Sequence, residues 1–327
     1  MFLWESAKCG NRRKIGRPRN DMYFISDAEK RFNESGPMFH LSTEPVEDAV
    51  IFETEDDYIM VNNLIAISLR LSGCAMLAMA IMSNHLHFIL AGNREECLFF
   101  FEELRSRLQK VFVRRGRGGI VSRMNPGLVT ISSLKQLRDE IAYVIRKPFV
   151  VRQDVNLFAY RWCSGYLYFN PLLSPKGVPA SDLTVRKLRA FTHSKTNINV
   201  PKGILIHDGI ADPASFIDYK KAESFFDNAR QFVMWVLKNV EGQVETSARH
   251  GEMPHLNDEE LFALSRKLCR LLFKVNAPKE LPIEDKKRLA LKLKNEFKAS
   301  NAQIARCSNL SLADVNVLFP LSAGNKH

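Results

Sequence analysis

The sequence predicts an α+β domain followed by an all-helical carboxyl-terminal region. Three observations carry that expectation. Two apolar runs, Cys74–Met82 and His85–Leu90, are separated only by Ser83-Asn84 and read as a β-hairpin. Long segments on either side repeat apolar residues at helical spacing. From 255 to 320 only the helical period remains. With 327 residues the chain is too long for one small domain.

In chain order, residues 1–35 read as a basic arm without periodicity. Met38–Thr43 is a strand candidate. Asp56–Leu71 places Ile59, Leu64, Ile67 and Leu71 on one broad helix face, which Ser72-Gly73 terminates. Asn93 caps a helix through Glu96–Val113 with Leu98, Phe101, Leu104 and Leu108 inward. Ser133–Ile145 is a further helix, which Pro148 is expected to end. The compact part spans 36–171. Residues 172–254 are read as a connector containing an amphipathic helix over Asp218–Asn239, with a polar break over Glu241–Pro254. Residues 255–327 form the helical region.

Forty-seven Lys and Arg against thirty-six Asp and Glu give a formal charge of +11. The excess is uneven. Residues 104–123 carry seven cations and no anion, whereas 36–57 carry seven anions and no cation. Such a field attracts a polyanion, nucleic acid first and an anionic membrane surface second. No apolar run reaches the roughly 18–20 residues that span a bilayer. The six cysteines contain no Cys-x-x-Cys pair, which disfavours a zinc knuckle and a disulfide framework and fits the cytoplasm. Gly16-Arg17-Pro18-Arg19 resembles the core of an AT-hook, which would send Arg17 and Arg19 into a minor groove.

The segment Met82-Ser83-Asn84-His85-Leu86-His87-Phe88-Ile89-Leu90 bears the most chemistry. Residues two apart on a strand face the same way, so His85 and His87 project together as a pair of imidazoles able to hold a metal. The segment resembles the metal-binding strand of the HUH endonuclease superfamily. The likeness is to single-tyrosine transposases of the insertion-sequence (IS200-like) and REP-associated kinds, with Ser83 where that family has proline. Tyr143-Val144-Ile145-Arg146-Lys147-Pro148-Phe149 resembles the family's tyrosine motif, and Tyr160, Trp162 and Ser164 its aromatic-Ser segment. The resemblance covers about residues 38–171.

It implies an antiparallel sheet flanked by helices, ferredoxin-like or RRM-like. It also implies a single-strand DNA endonuclease and strand transferase acting on hairpin or repeat DNA through a 5′-phosphotyrosine. In that reading Tyr143 is the nucleophile and His85 and His87 hold Mg²⁺ or Mn²⁺. The partner is DNA, with a homodimer compatible. Arg114, Arg115, Arg117, Arg146 and Lys147 are candidates for contacts to it. One position departs from the family pattern: Lys147 stands where the third metal ligand, an amide, is expected. A protonated amine has no lone pair to offer. Asp139, Glu140, Gln153 or Asp154 are the available oxygen donors. The rival readings are a catalytically silent DNA-binding protein derived from such a transposase, and an unrelated metallohydrolase using the same histidines.

Near the carboxyl end, Ser300–Val315 resembles a helix-turn-helix, with Ser300 and Ser311 as caps and Asn309 in the turn. Its second helix, 312–319, has no Lys or Arg. Phosphate contacts would fall to Lys286, Lys287, Arg288, Lys292, Lys294 and Lys298.

Overall fold

The computed structural model describes residues 25–45, 50–151, 158–194, 201–238, 240–251, 256, 258–297 and 299–320. Arg17, Arg19, Gln153, Asp154 and Lys298 lie outside the described residues.

The first half follows a β-α-β-β-α-β order. Its elements are β1 (Met38–Thr43), α2 (Glu55–Ser72), β2 (Ala75–Ile81), β3 (Leu86–Ala91), α3 (Arg94–Arg114) and β4 (Pro126–Thr130), with a short turn of helix, α4 (Gly118–Val121), before β4. The strands form an antiparallel sheet in the order β2-β3-β1-β4, which is ferredoxin-like topology. β4 was not anticipated. It is five residues long at the sheet edge and half-exposed, so its alternation is weak.

Local chemistry fixes the helix ends. Thr54 and Asp57 form a reciprocal capping box on α2, and Asn93 and Glu96 form another on α3. Gly73 closes α2 in the left-handed region, φ 82°, which suits a residue without Cβ.

The sheet is covered on both faces, which is why every residue of β1 and β3 is buried. Phe39 and Leu41 of β1 and Leu86, Phe88 and Leu90 of β3 join α2 and α3 in one apolar core. Each such fully buried side chain contributes about 1.5–3 kcal/mol. Because side chains alternate, His40, Ser42, His87 and Ile89 face the opposite layer. That layer is α5 (Leu134–Val151), which packs Leu137, Ile141, Val144 and Ile145 against the sheet. α1 (Asp27–Glu34), inside the segment expected to be an arm, also packs on α5.

Pro148 does not end α5. The helix continues to Val151. Proline has no N–H for the carbonyl of Val144, four residues back. The Cys163 thiol lies 3.9 Å from that oxygen and partly replaces the lost donor.

The middle of the chain also departs from expectation. β5 (Val178–Pro179), β6 (Leu205–His207) and β7 (Ile210–Ala211) make a small second sheet, with α6 (Val185–Thr192) between the first two strands. Ile204, Ile206, Ala211, Phe216 and Ile217, the last two in or beside α7 (Pro213–Phe216), enter the α2/α3 core. The helix expected over 218–239 is two helices, α8 (Tyr219–Glu223) and α9 (Ala229–Lys238). Asn228 accepts from Gln231 N at 2.9 Å and starts the second afresh. The expected polar break at 241–254 contains another helix, α10 (Val240–Arg249), packed on α5 through buried Gln243, Thr246 and Ser247. Its inner face is polar, so hydrophobic periodicity does not reveal it.

The carboxyl-terminal helices α11 (Asp258–Leu268), α12 (Ile283–Phe297), α13 (Asn301–Ser308) and α14 (Leu312–Leu318) share a separate core around Leu261, Leu289, Leu293, Ile304 and Val315. Ser300 and Ser311 cap α13 and α14, and Asn309 makes the left-handed turn between them. Among the described residues no helix is long and apolar enough to cross a membrane. The five described cysteines are buried free thiols.

Asp57 ties the start of α2 to the loop that follows α3. Its buried carboxylate accepts from Glu53 N at 2.9 Å and Arg117 at 3.1 Å, and it also pairs with Arg115. Burial alone would raise its pKa, but the bonds from Glu53 N, Arg117 and Thr54 N outweigh this and hold it below the usual carboxylate value. A depressed pKa stabilises the fold above the unfolded value of about 3.9, and the effect fades as pH falls through the folded one. Asp57→Asn should cost about 2 kcal/mol at pH 7, the arginines being partly solvated. Urea unfolding should show the gap from wild type shrinking between pH 5 and pH 3. A gap independent of pH would refute the assignment.

Candidate functional site

Four elements converge where β1 and β3 face α5. β1 supplies His40 and Ser42. The hairpin turn and β3 supply His85 and His87, and Ser42 pairs with His87 in register. α5 supplies Glu140, Tyr143 and Lys147, one helical face read at three- and four-residue steps. The end of α10 brings Arg249 and His250.

Tyr143 is buried among imidazoles. Its ring centroid lies 5.9 Å from His87, 6.1 Å from His40 and 6.0 Å from His250, the last stacked at 14°. His85 and His87 stand side by side, ring centroids 4.8 Å apart. The Lys147 Nζ lies 4.4 Å from the Tyr143 ring centroid, a cation–π distance.

Behind this layer runs a buried polar chain. His40 Nδ1 lies 2.7 Å from Glu140 Oε2, and His250 Nε2 lies 3.0 Å from the same oxygen. Arg249 donates to Glu140 Oε1 at 3.0 Å. His40 Nε2 lies 3.1 Å from His87 Nδ1. Burial would raise the Glu140 pKa, yet the bonds from His250 and His40 more than offset it and hold the carboxyl well below its usual range. His87 is held well below the ordinary imidazole value, first by burial and then by the charges of Lys147, His85 and His40.

The network assigns the tautomers. A carboxylate only accepts, so His40 donates through Nδ1–H and, when neutral, offers a lone pair at Nε2. With His40 neutral, His87 donates through Nδ1–H to His40 and carries its own lone pair at Nε2; with His40 protonated the bond reverses. His85 Nδ1 donates to Asn84 Oδ1 at 2.7 Å, which leaves His85 Nε2 as a lone pair too. Two adjacent imidazoles whose Nδ1 atoms are bonded to second partners suit divalent metal ligation through Nε2. His85 and His87 therefore fit the metal. Lys147 in the third position does not.

Of the substitute oxygen donors, Asp139 faces α9, where it accepts from Trp235 Nε1 at 2.9 Å and from Lys135 Nζ at 2.8 Å. Glu140 does reach the site, but His40 stands between it and His87. His40, Glu140 and His250 themselves place ligand atoms within 4.8 Å of one another, a group able to hold a metal ion.

The cations expected on DNA are arranged differently. Arg146 is buried, donates to Val236 O at 3.0 Å at the end of α9 and pairs with Glu260 of α11, so it does not present itself to a nucleic acid. Arg115 and Arg117 hold Asp57, Arg117 also bonds Glu53 at 2.8 Å, and Arg114 donates to His193 O. These three loop arginines thus have partners within the chain, although Arg114 and Arg115 remain exposed. Glu140 was named from sequence as an oxygen donor for a metal, whereas His40, Arg249 and His250 were not singled out. For His40 a signal existed, since it is the polar residue alternating with Phe39 and Leu41 on an apolar strand. For His250 there was none, because it lies in what read as a polar break.

At pH 7 the His87 ring should be neutral with its proton on Nδ1, read from long-range ¹⁵N–¹H correlations of the imidazoles. Glu140→Gln should cost about 3 kcal/mol in urea unfolding, by leaving Arg249 facing a neutral amide, and should mix the His87 tautomers. A proton on His87 Nε2 in the wild type would overturn the assigned chain.

No family model and no curated protein matches the sequence. Among solved structures the chain is similar to a REP-associated tyrosine transposase bound to a REP hairpin, with 12% identity and a TM-score of 0.33. That match covers 53% of this chain and 94% of the other.

Proposed function

We propose that the protein cuts and rejoins single-stranded or hairpin DNA, with Tyr143 as nucleophile and a 5′-phosphotyrosine as intermediate. The observation that carries this reading is the meeting of Tyr143 with the His85/His87 pair: the two rings nearest each other, Tyr143 and His87, come from segments 56 positions apart and stand at 5.9 Å. His85 and His87 would hold Mg²⁺ or Mn²⁺ through Nε2, and the bound ion would polarise a phosphate.

The chain's own residues account for the rest. Tyr143 Oη attacks phosphorus, forming the phosphotyrosine ester as the 3′-oxygen leaves and takes up a proton. The phosphodiester's energy is kept in that link, so a second 3′-hydroxyl can displace the tyrosine and rejoin strands. The Lys147 ammonium beside the ring stabilises the negative charge that develops during attack. The His87–His40–Glu140 chain holds the His87 ring in one orientation, and the stacked His250 limits rotation of the tyrosine. Arg115 and Arg117 retain partial exposure, so a strand reaching this loop would compete with Asp57 and Glu53 for their guanidinium groups, with exposed Arg114 beside them.

One observation favours a second reading, a DNA-binding protein without cleavage: Lys147 puts a fixed positive charge against the metal position. Purified protein incubated with hairpin DNA and Mn²⁺ separates the two. Wild type should give covalent adducts on a denaturing gel. Tyr143→Phe should lower them by at least about a thousandfold while binding persists. Lys147→Asn should tighten Mn²⁺ binding and raise the rate. Adducts from neither wild type nor Lys147→Asn would leave only the binding reading.

A further inference from the structure

Beside the outer edge of β2 lies a cavity of about 340 Å³, on the layer of α2 and away from Tyr143. Asn62 of α2 lines it, with Trp162 and Tyr166 from the segment that follows α5, and with Arg161, Lys176 and Asp212. The segment is fastened to the sheet: Ile81 N donates to Trp162 O at 2.9 Å, and Tyr160 Oη donates to Ile81 O. Ile81 pairs with Leu86, the residue between His85 and His87. The cavity wall is thus joined to the histidine strand through a single intervening strand.

Asn62 is the unusual member. It is fully buried, and its Nδ2 donates to Ala211 O at 2.9 Å, which fixes the amide's orientation. Its Oδ1 is buried and meets no hydrogen-bond donor among the described residues. The neighbouring Asn63 shows what a purely structural amide does here: Nδ2 donates to Gly209 O and Oδ1 accepts from Ala211 N, both ends satisfied. An unmet buried acceptor is costly and calls for a donor. The other walls narrow the choice. Trp162 and Tyr166 give flat aromatic edges. Burial, then the charges of Asp212 and Cys163, push the Tyr166 phenol up, so it stays neutral. Lys176 supplies positive charge at the rim beside Arg161, which pairs with Glu55 at 2.8 Å and lies over the Trp162 ring, while Asp212 spends its oxygens on Lys176 N at 2.7 Å and Ala214 N at 3.1 Å.

We propose that this cavity is a nucleotide subsite that takes one base of a DNA single strand, its N–H edge against Asn62 Oδ1 and its phosphate toward Lys176 and Arg161. A flat ligand with a hydrogen-bond donor edge and an anionic tail is a nucleotide. The proposal rests on the reading that the chain acts on single-stranded DNA, and it adds a place, apart from Tyr143, where a base of that strand is held. The aromatic edges of Trp162 and Tyr166 would flank the base, the Trp162 face being stacked on Tyr58.

Mononucleotides test it directly. Trp162 fluorescence and calorimetry should report saturable binding of dCMP and dAMP by the full chain, and weaker binding of deoxyribose 5-phosphate. Asn62→Leu should weaken dCMP about tenfold and leave the sugar phosphate unchanged. Lys176→Ala should weaken dCMP and leave deoxycytidine unchanged; it sits on the exposed rim and decides the matter if Asn62→Leu fails to fold. No binding of dCMP or dAMP at millimolar concentration, or binding indifferent to Lys176→Ala, overturns the subsite. Tyr143→Phe should bind dCMP as wild type does. Adducts formed without mononucleotide binding would remove the subsite alone, and mononucleotide binding without adducts would remove the cleavage reading alone.

Discussion

Glu140 is a carboxylate taken fully out of water, and a buried anion persists only where donors reach it. Those three donors come from two separate places: His40 on β1, and Arg249 with His250 at the end of α10. The α5–sheet interface, the placement of α10 and the orientation of His87 are therefore one problem with one solution. If any partner left, an uncompensated charge would remain in a low-dielectric layer, a penalty larger than most single apolar contacts. This explains how a polar helix such as α10 docks so firmly.

The two faces of the sheet divide the work. The α2/α3 face is apolar and supplies most of the burial, with Phe88, Phe100, Phe101 and Phe112 at its centre. The α5 face gives up part of that burial for histidines, a tyrosine, a lysine and a carboxylate. It is held by electrostatics and by the ring of apolar residues around them, Ile141, Val144 and Ile145 among them. Arg146 then joins α5 to the carboxyl-terminal helices through Glu260. α5 is thus the element that meets the sheet, α10 and α11 at once, and Tyr143 lies in its middle.

Lys147 sets the electrostatic character of the site. Burial first, and then the Lys147 charge, hold His87 below the ordinary imidazole value, and the same cation beside the Tyr143 ring favours negative charge nearby. The same charge disfavours a divalent ion.

Much of the first half was legible in the sequence because its signals are local. The hairpin about Ser83-Asn84, the caps at Asn93 and Ser300 and the alternation that pairs His85 with His87 all depend on residues within a few positions of one another. The same holds for Tyr143, Lys147 and their shared helix face. Tertiary structure alone decided what depends on distant partners. Pro148 sits inside α5 because Cys163 approaches from elsewhere. α10 exists although its sequence reads as a break, because its polar side chains meet a polar face. Arg115 and Arg117 turn inward because Asp57, some 60 positions earlier, is buried and needs them. His40 and His250 became part of the site for the same reason: a buried charge draws its partners from wherever the chain can bring them. No window of sequence contains that requirement, since it arises only when the layers close and water is excluded.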